Sequence, residues 1–351
     1  MAESKKSQSA ENRIPDYEHL FGETSTKPKP SGRVLFDLFR GYGARLVISV
    51  FAYLIKASPL WVMPVLTAEI INVASRPIAA DSYRKIAVYS IILAVILIQN
   101  LPTHMLHAKL CNTMQREIGA GIRSALFRKL QQLSITYHKQ ISTGAIQSKF
   151  LRDIESINGL VSTLLLTVIP SVIGVVISTV ISLWRSVPMT LFFAVVIPFN
   201  VLLSKAFFGK IAQKNREYRM ENENVSASFT TMLQMLPITK AHGLESREVS
   251  AFDRKVDTLT EKGLNADRTL AYFGSWVWVI SNLLSCSCLV LCAVLALQGQ
   301  IEVGDIVLYQ SLFSQINGNV SGLVNSFPTL MSGLEAISSL SEIMVSDDVE
   351  H

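Results

Sequence analysis

The stretch "LHAKLCNTMQREIGAGIRSALFRKLQQL" (106–133) decides the fold class. Leu106, Leu110, Met114, Ile118, Ile122, Leu126 and Leu130 recur at intervals of four, with charged and polar residues between them. On a helix of 3.6 residues per turn such a stripe winds slowly around the axis, so the helix must change neighbours along its length. Upstream, the chain runs back to Tyr83 without a strong helix stop. Fifty helical residues reach ~75 Å, against a bilayer core of ~30 Å. The segment is therefore expected to cross a membrane and continue well beyond it.

The rest of the composition agrees. The 351 residues are 49% hydrophobic and 17% charged, and the mean hydropathy is +0.35; soluble domains carry about 25% charged residues. Apolar runs near 46–68, 86–103, 160–184, 187–208, 271–297 and 303–331 each meet the length expected of a spanning helix. A soluble bundle would need a polar face on each, and "VISVFAYLIKASPLWVMPVL" holds only Lys56. The reading is an all-α membrane protein with six spans.

Charge sets the expected orientation. Of the 32 Lys and Arg, Arg76, Arg84, Lys85 and Arg185 lie in the short connections of one side, and Lys56 lies inside a span. All others fall in 1–45, 103–160 or 205–270. Positive-inside bias places both termini and the two long connections in the cytoplasm, in the cell membrane. The net charge of +5 is then explained by topology and anionic lipid headgroups, and nucleic acid is not implied.

Residues 1–31 are polar and rich in Lys, Glu, Ser and Pro, which reads as a disordered cytosolic tail. "RVLFDLFRGYG" (33–43) is amphipathic, with Val34, Leu35, Leu38 and Phe39 on one side and Arg33, Asp37 and Arg40 on the other. It reads as an elbow helix (32–43) on the inner membrane surface, bent at Gly41 and Gly43. The main body then covers 44–345.

The two long connections stay rich in helix formers and lack Gly/Pro clusters. Ile211, Tyr218, Val225, Phe229 and Met232 mark one apolar face, and Val249, Phe252, Val256 and Leu259 another with a/d-like spacing. Such helices must pack on one another, so the spans are expected to extend into two cytosolic hairpins. One hairpin tip falls at "SITYHKQIST" (134–143). The other falls within "MLQMLPITKAHGLESREVSAF" (232–252), an apolar knuckle among charges.

No catalytic constellation is visible. Of Cys111, Cys286, Cys288 and Cys292, three share one apolar span without His or carboxylate, so they read as packing residues and no metal site is expected. His104 and His107 likewise read as helix-packing residues. The sixth span is unusually polar: Gln310, Ser314, Gln315, Asn317, Asn319, Ser321, Asn325 and Ser326. Ser314, Asn317, Ser321 and Asn325 share one face. That face must meet another helix or water, either as the wall of a substrate cavity, the favoured reading, or as interhelical hydrogen-bond glue. Gln315 and, in the fifth span, Asn282 join the cavity candidates; Ser281, Gln99 and Asn100 are weaker ones.

Three ordered segments resemble the transmembrane domain of ABC exporters. "IRSALFRKLQQLSITYHKQISTGAIQSKFLRDIESI" (122–157) is similar to the segment around coupling helix 1 through Leu126, Phe127, Leu130, Leu133, Tyr137, Gly144, Ser148 and Asp153. "LPITKAHGLESREVSAF" (236–252) is similar to coupling helix 2 through Ile238, Lys240, Gly243, Glu245, Glu248 and Phe252. "GQIEVGDIVLYQSL" (299–312) resembles the turn into the sixth helix, with Gly304 and Tyr309. The resemblance covers roughly 32–345. It departs at Thr230 and Thr231, where an acidic residue is frequent, and at Pro237, where a small residue is common.

The resemblance implies a domain-swapped dimer whose twelve helices enclose a translocation path opening alternately to each side. A second transmembrane subunit, identical or not, and nucleotide-binding domains are the implied partners, with a small-molecule, lipid or peptide substrate. Coupling residues carried over are Thr136, Tyr137 and His138 at the first tip and Ile238, Lys240, His242 and Gly243 at the second. No G-x-x-x-x-G-K-[ST] occurs, so nothing in this chain is expected to cradle ATP phosphates. The chain is not expected to be an enzyme by itself and carries no cofactor. ATP and Mg are expected on nucleotide-binding domains that would follow the linker beginning at 346–351 or reside on a separate polypeptide; the complete assembly would be an ATP-hydrolysing translocase. The alternative is a proton-coupled peptide transporter of the same membrane fold. It calls for carboxylates inside the membrane, whereas Glu69 and Asp305 sit at outer ends.

Overall fold

The computed structural model describes residues 17–21, 29–77, 81–140 and 143–348. The apolar runs form helices that carry the chain far past bilayer thickness. After α1 (Glu18–Phe21) and α2 (Ser31–Arg40) come α3 (Gly43–Ser75) and α4 (Ser82–Gln132). The short helices α5 (Ile135–Gln140) and α6 (Thr143–Ser148) follow. α7 (Ile154–Thr163) and α8 (Ile169–Arg185) continue the same rod through π-helical turns at Lys149–Asp153 and Leu164–Val168. The last three are α9 (Val187–Ala241), α10 (Glu245–Leu297) and α11 (Asp305–Met344).

Five helical stretches are long and apolar enough to cross a membrane: α3, α4, Ile146–Arg185, α9 and α10. The expected sixth span, 303–331, lies in α11, a continuous helix of 40 residues. It does not join the other five on apolarity, because its amides and serines dilute the run. Among the described residues the count of clearly apolar spans is thus five rather than six.

The described residues up to Thr190, together with those from Cys292 onward, form one compact unit; Leu191–Leu291 form a second. In the first, α4 lies along α3, then meets α7, α1 and α11. This is the change of neighbours that the four-residue stripe demands. Met114, Ile118, Ile122 and Leu126 are fully buried there with Ile154, Ile157, Leu160, Ile337 and Leu340, while Leu106, nearer the apolar run, is exposed. At about 25 cal/mol per Å² of apolar area, this cluster is the main stabilising element of the unit. Gly333 lets α11 close on α7, since a Cβ there would come within 2.3 Å of Leu160 Cβ.

Two expectations for the N-terminal region need correction. Tyr17 and Phe21 are each only 1% exposed, inside this same core. The segment around them is therefore docked; the rest of 1–31 apart from 29–31 lies outside the described residues. Tyr17 covers Gly121, where a Cβ would meet the ring at 2.0 Å, and its hydroxyl lies 3.1 Å from that of Tyr42. Burial pushes both phenol pKa values upward, so the pair stays protonated. The elbow helix forms as expected, but Val34 and Leu38 are buried in the protein core and α2 packs on α11. Its apolar face is thus spent on protein, leaving Phe36, 70% exposed, on the other side. The bend before α3 is made at Gly41 and Tyr42; Gly41 has an ordinary helical φ of −67°.

In the second unit the two apolar faces of the hairpin meet only in places, and Tyr218, Phe229, Val249 and Val256 stay 36–55% exposed. Phe229 and Phe252 lie with ring centroids 6.1 Å apart, and Tyr218 sits against Gly263. The two helices are joined by a tight turn at His242–Leu244 rather than by a separate helix. Gly243 takes φ +63°, and Leu244 N–H donates to the Thr239 carbonyl at 3.0 Å. Glycine ends the helix there because a side chain disfavours the left-handed region.

Candidate functional site

The polar residues of α11 divide between two jobs. Leu312, Phe313, Ile316 and Val320 are buried. On the complementary side, Ser314 and Asn325 are exposed and Asn317 and Ser321 half-buried. These four form a continuous polar strip facing away from the helix's apolar contacts. Asn319 instead lies on Gly174 of α8, and Ser326 returns its hydroxyl to the Leu323 carbonyl at 2.8 Å. Gln315, expected in the cavity wall, donates its amide to the main-chain carbonyl of Leu60. That carbonyl lies four residues before Pro64, which has no N–H to give it. Gln99 does the same for Ile55, four residues before Pro59, at 2.9 Å, and Asn100 donates to the Lys56 carbonyl at 2.5 Å. The Gln315 and Gln99 amides repair the backbone of a proline-containing helix, where an unpaired carbonyl in the apolar layer costs several kcal/mol, and Asn100 adds a further bond to the same helix. Of the predicted cavity residues, the structure therefore leaves Ser314, Asn317, Ser321 and Asn325 together and separates Gln315 from them. In the second unit Asn282 is exposed, with its amide bonded to the Trp278 carbonyl at 2.8 Å.

His107 is buried, as a packing residue should be. Its Nδ1 lies 3.1 Å from the Ser49 carbonyl oxygen and 3.2 Å from Ser49 Oγ, which in turn lies 3.2 Å from Cys111 Sγ. This small network bonds α3 to α4. His104 is exposed.

At the first tip, α5 begins after Ser134, whose hydroxyl accepts the Tyr137 N–H at 3.1 Å. Thr136 is exposed and Tyr137 half-buried against the core. The side chain of His138 lies outside the described residues. Burial first, then the Glu342 and Asp348 carboxylates, raise the Tyr137 pKa. The chain beyond α11 is fastened here: Ser134 N–H donates to the Asp348 carbonyl at 2.8 Å, its hydroxyl to Asp348 Oδ1 at 2.7 Å, and Lys129 Nζ to the Ser346 carbonyl at 2.9 Å. At the second tip Ile238 is 55% exposed, and Lys240, His242 and Gly243 are exposed as well. Leu233, Met235, Leu236 and Leu244 add to an apolar surface there.

One charged cluster escapes a reading of the sequence. Arg185, at the end of α8, donates to Glu69 of α3 and lies 3.4 Å from Asp305 at the start of α11. Asp305 is 5% exposed and accepts the Glu302 N–H at 3.1 Å. Beside it, the Gly304 N–H donates to Asn72 Oδ1 at 2.7 Å, and a Cβ on Gly304 would come within 2.1 Å of the Ala68 carbonyl. The available signal is only that three span ends carry complementary charges.

The chain matches the family described as ABC transporter transmembrane region over residues 46–320. Among curated proteins it is 21% identical over 306 residues to YgaD of Bacillus subtilis, a protein named as a multidrug export ATP-binding/permease protein, covering 86% of this chain and 53% of that one. A similarly named protein of Staphylococcus aureus is 23% identical over 219 residues, 62% of this chain and 38% of its own. The chain thus spans about half the length, or less, of these relatives. Among solved structures, a bacterial Atm1-family ABC exporter with ATP bound superposes with a TM-score of 0.69 at 17% identity, covering 86% of this chain and 53% of that one.

Proposed function

The chain belongs to the ABC transporter transmembrane region family, and from that premise we propose that it forms the translocation pathway of an ATP-driven exporter. It works with a second transmembrane subunit in a domain-swapped dimer, by alternating access. Both termini and both hairpin tips are cytoplasmic, and the polar strip Ser314, Asn317, Ser321 and Asn325 lines the path. The tips dock on nucleotide-binding domains, where ATP and Mg are bound, and pass their closure to the membrane helices as rigid-body motion. The relatives' names point to small-molecule drugs as the cargo class, with lipids and peptides as the other classes the scaffold admits.

The observation that carries this reading is the exposed apolar and basic tip, Leu233 to Leu244, on helices 55 and 53 residues long. Such a surface in water calls for a partner. The proton-coupled alternative is not favoured, since Glu69 and Asp305 are both engaged with Arg185. The test is co-reconstitution with ATP-binding domains in proteoliposomes. Replacing Lys240–Gly243 with a Ser/Gly linker should leave ATP hydrolysis in place and abolish ATP-dependent transport. Unchanged transport would overturn the docking role.

A further inference from the structure

The second unit holds a basic groove at a membrane boundary. The apolar run of α9 ends at Phe208 and that of α10 begins at 271. Both transitions lie at one level, since the rings of Phe207 and Phe273 stack with centroids 4.5 Å apart. Immediately on the polar side lies a groove of about 430 Å³ lined by Lys210, Gln213, Lys214, Arg268, Thr269 and, at its floor, Tyr272 and Phe273. Lys210 Nζ is 6.0 Å from the centre of the Phe273 ring, close enough for the ring face to orient it. Tyr272 and Trp276, in edge contact at 6.4 Å, are exposed just below. Tyr and Trp at this depth are the mark of a headgroup region.

The charge balance in the groove is positive. Lys214 is paired with Glu217 at 3.0 Å, and that same carboxylate lies 3.7 Å from Lys262. Among the described residues, Lys210 and Arg268 have no carboxylate partner. Two uncompensated cations over an aromatic floor, next to exposed apolar side chains such as Leu202 (65% exposed), suit a ligand with an anionic head and apolar tails. A zwitterionic headgroup would bring its own cation among the lysines.

We propose that this groove binds the phosphate headgroup of an acidic phospholipid from the leaflet adjoining the stalk, through Lys210 and Arg268, with its acyl chains along the apolar side of the α9–α10 hairpin. The site depends on the membrane position of these helices and not on transport or its coupling.

The experiment loads the purified chain in detergent with phosphatidylglycerol or phosphatidylcholine and counts retained lipid by native mass spectrometry. Phosphatidylglycerol should be retained preferentially. Each cation removed should weaken its retention about fivefold, so K210A/R268A should lose roughly 25-fold, whereas K240A at the distant tip should lose nothing. Lys210→Gln alone, which removes the charge but keeps a polar side chain, provides the reading should the double variant lose helicity by circular dichroism. K210R/R268K should restore retention. Equal retention of both lipids, or unchanged phosphatidylglycerol binding in K210Q, overturns the proposal. So does displacement of the lipid by millimolar inorganic phosphate, which would mark a site for soluble anions.

Discussion

Gln315 of α11 donates its side-chain amide to the carbonyl of Leu60 in α3, the carbonyl that Pro64 leaves without a helical partner. One interhelical bond thus joins the two helices and mends a break in one of them. Gln315→Leu should lower the melting temperature of the detergent-solubilised chain by an amount equivalent to about 1 kcal/mol, since the carbonyl without a helical partner loses its donor. Pro64→Ala restores a main-chain N–H, so its addition to Gln315→Leu should recover most of the loss. Strict additivity of the two substitutions would sink the explanation.

Arg185 serves two carboxylates, of which Asp305 is the more deeply buried, with a side chain 7% exposed against 32% for Glu69. Arg185→Leu should destabilise by roughly 3 kcal/mol, mainly by stranding Asp305. Asp305→Asn in that background should return part of it, whereas Glu69→Gln should return little. Arg185→Lys keeps the charge but not the planar fork and should fall between. Thermal melts of the four variants decide the order, and an equal effect from Glu69→Gln and Asp305→Asn would show that burial is not the controlling factor.

Gly243 is one of two described glycines with positive φ, at +63°, and the space that a Cβ would occupy there is open. Gly243→Ala should therefore cost about 1 kcal/mol through backbone conformation alone, and Gly243→Asn less. The effect should appear as faster hydrogen exchange at the amides of His242 and Leu244, with exchange in α11 unchanged. Equal protection in wild type and Gly243→Ala would contradict the turn geometry.

The polar strip can be mapped chemically. In a background with the exposed Cys286 replaced by Ser, single Cys at 314, 317, 321 and 325 should react with a membrane-impermeant thiol reagent from one side. Cys at 316 and 320, where Ile316 and Val320 are buried, should stay protected. Labelling confined to 316 and 320 would refute a water-facing strip.

Much of the fold is legible in the order of the residues. Apolar runs are local and additive, so 46–68 or 271–297 announce a helix without reference to any neighbour. The stripe from Met114 to Leu126 likewise marks a helix that outlives its membrane, because periodicity is a property of one chain segment. Composition also separates α11 from the other spans, although it cannot say which of its amides face water. Ser314 and Gln315 are adjacent in sequence and equally polar, yet one is exposed and the other bonded to a carbonyl 255 residues away.

What the amino-acid sequence determined by itself was thus the apolar runs, the long helix from Tyr83 to Leu133 and the apolar faces of the extended hairpins, all set by forces acting within a few residues. Only the tertiary structure decided which unsatisfied group meets which donor: Gln315 for Leu60, Arg185 for Asp305, and the Tyr17 ring for the gap above Gly121. The physical reason is that a proline-orphaned carbonyl, a buried carboxylate and a missing Cβ each create a demand at one place on the chain. The residue that meets it is chosen by proximity in space, which no periodicity along the chain encodes.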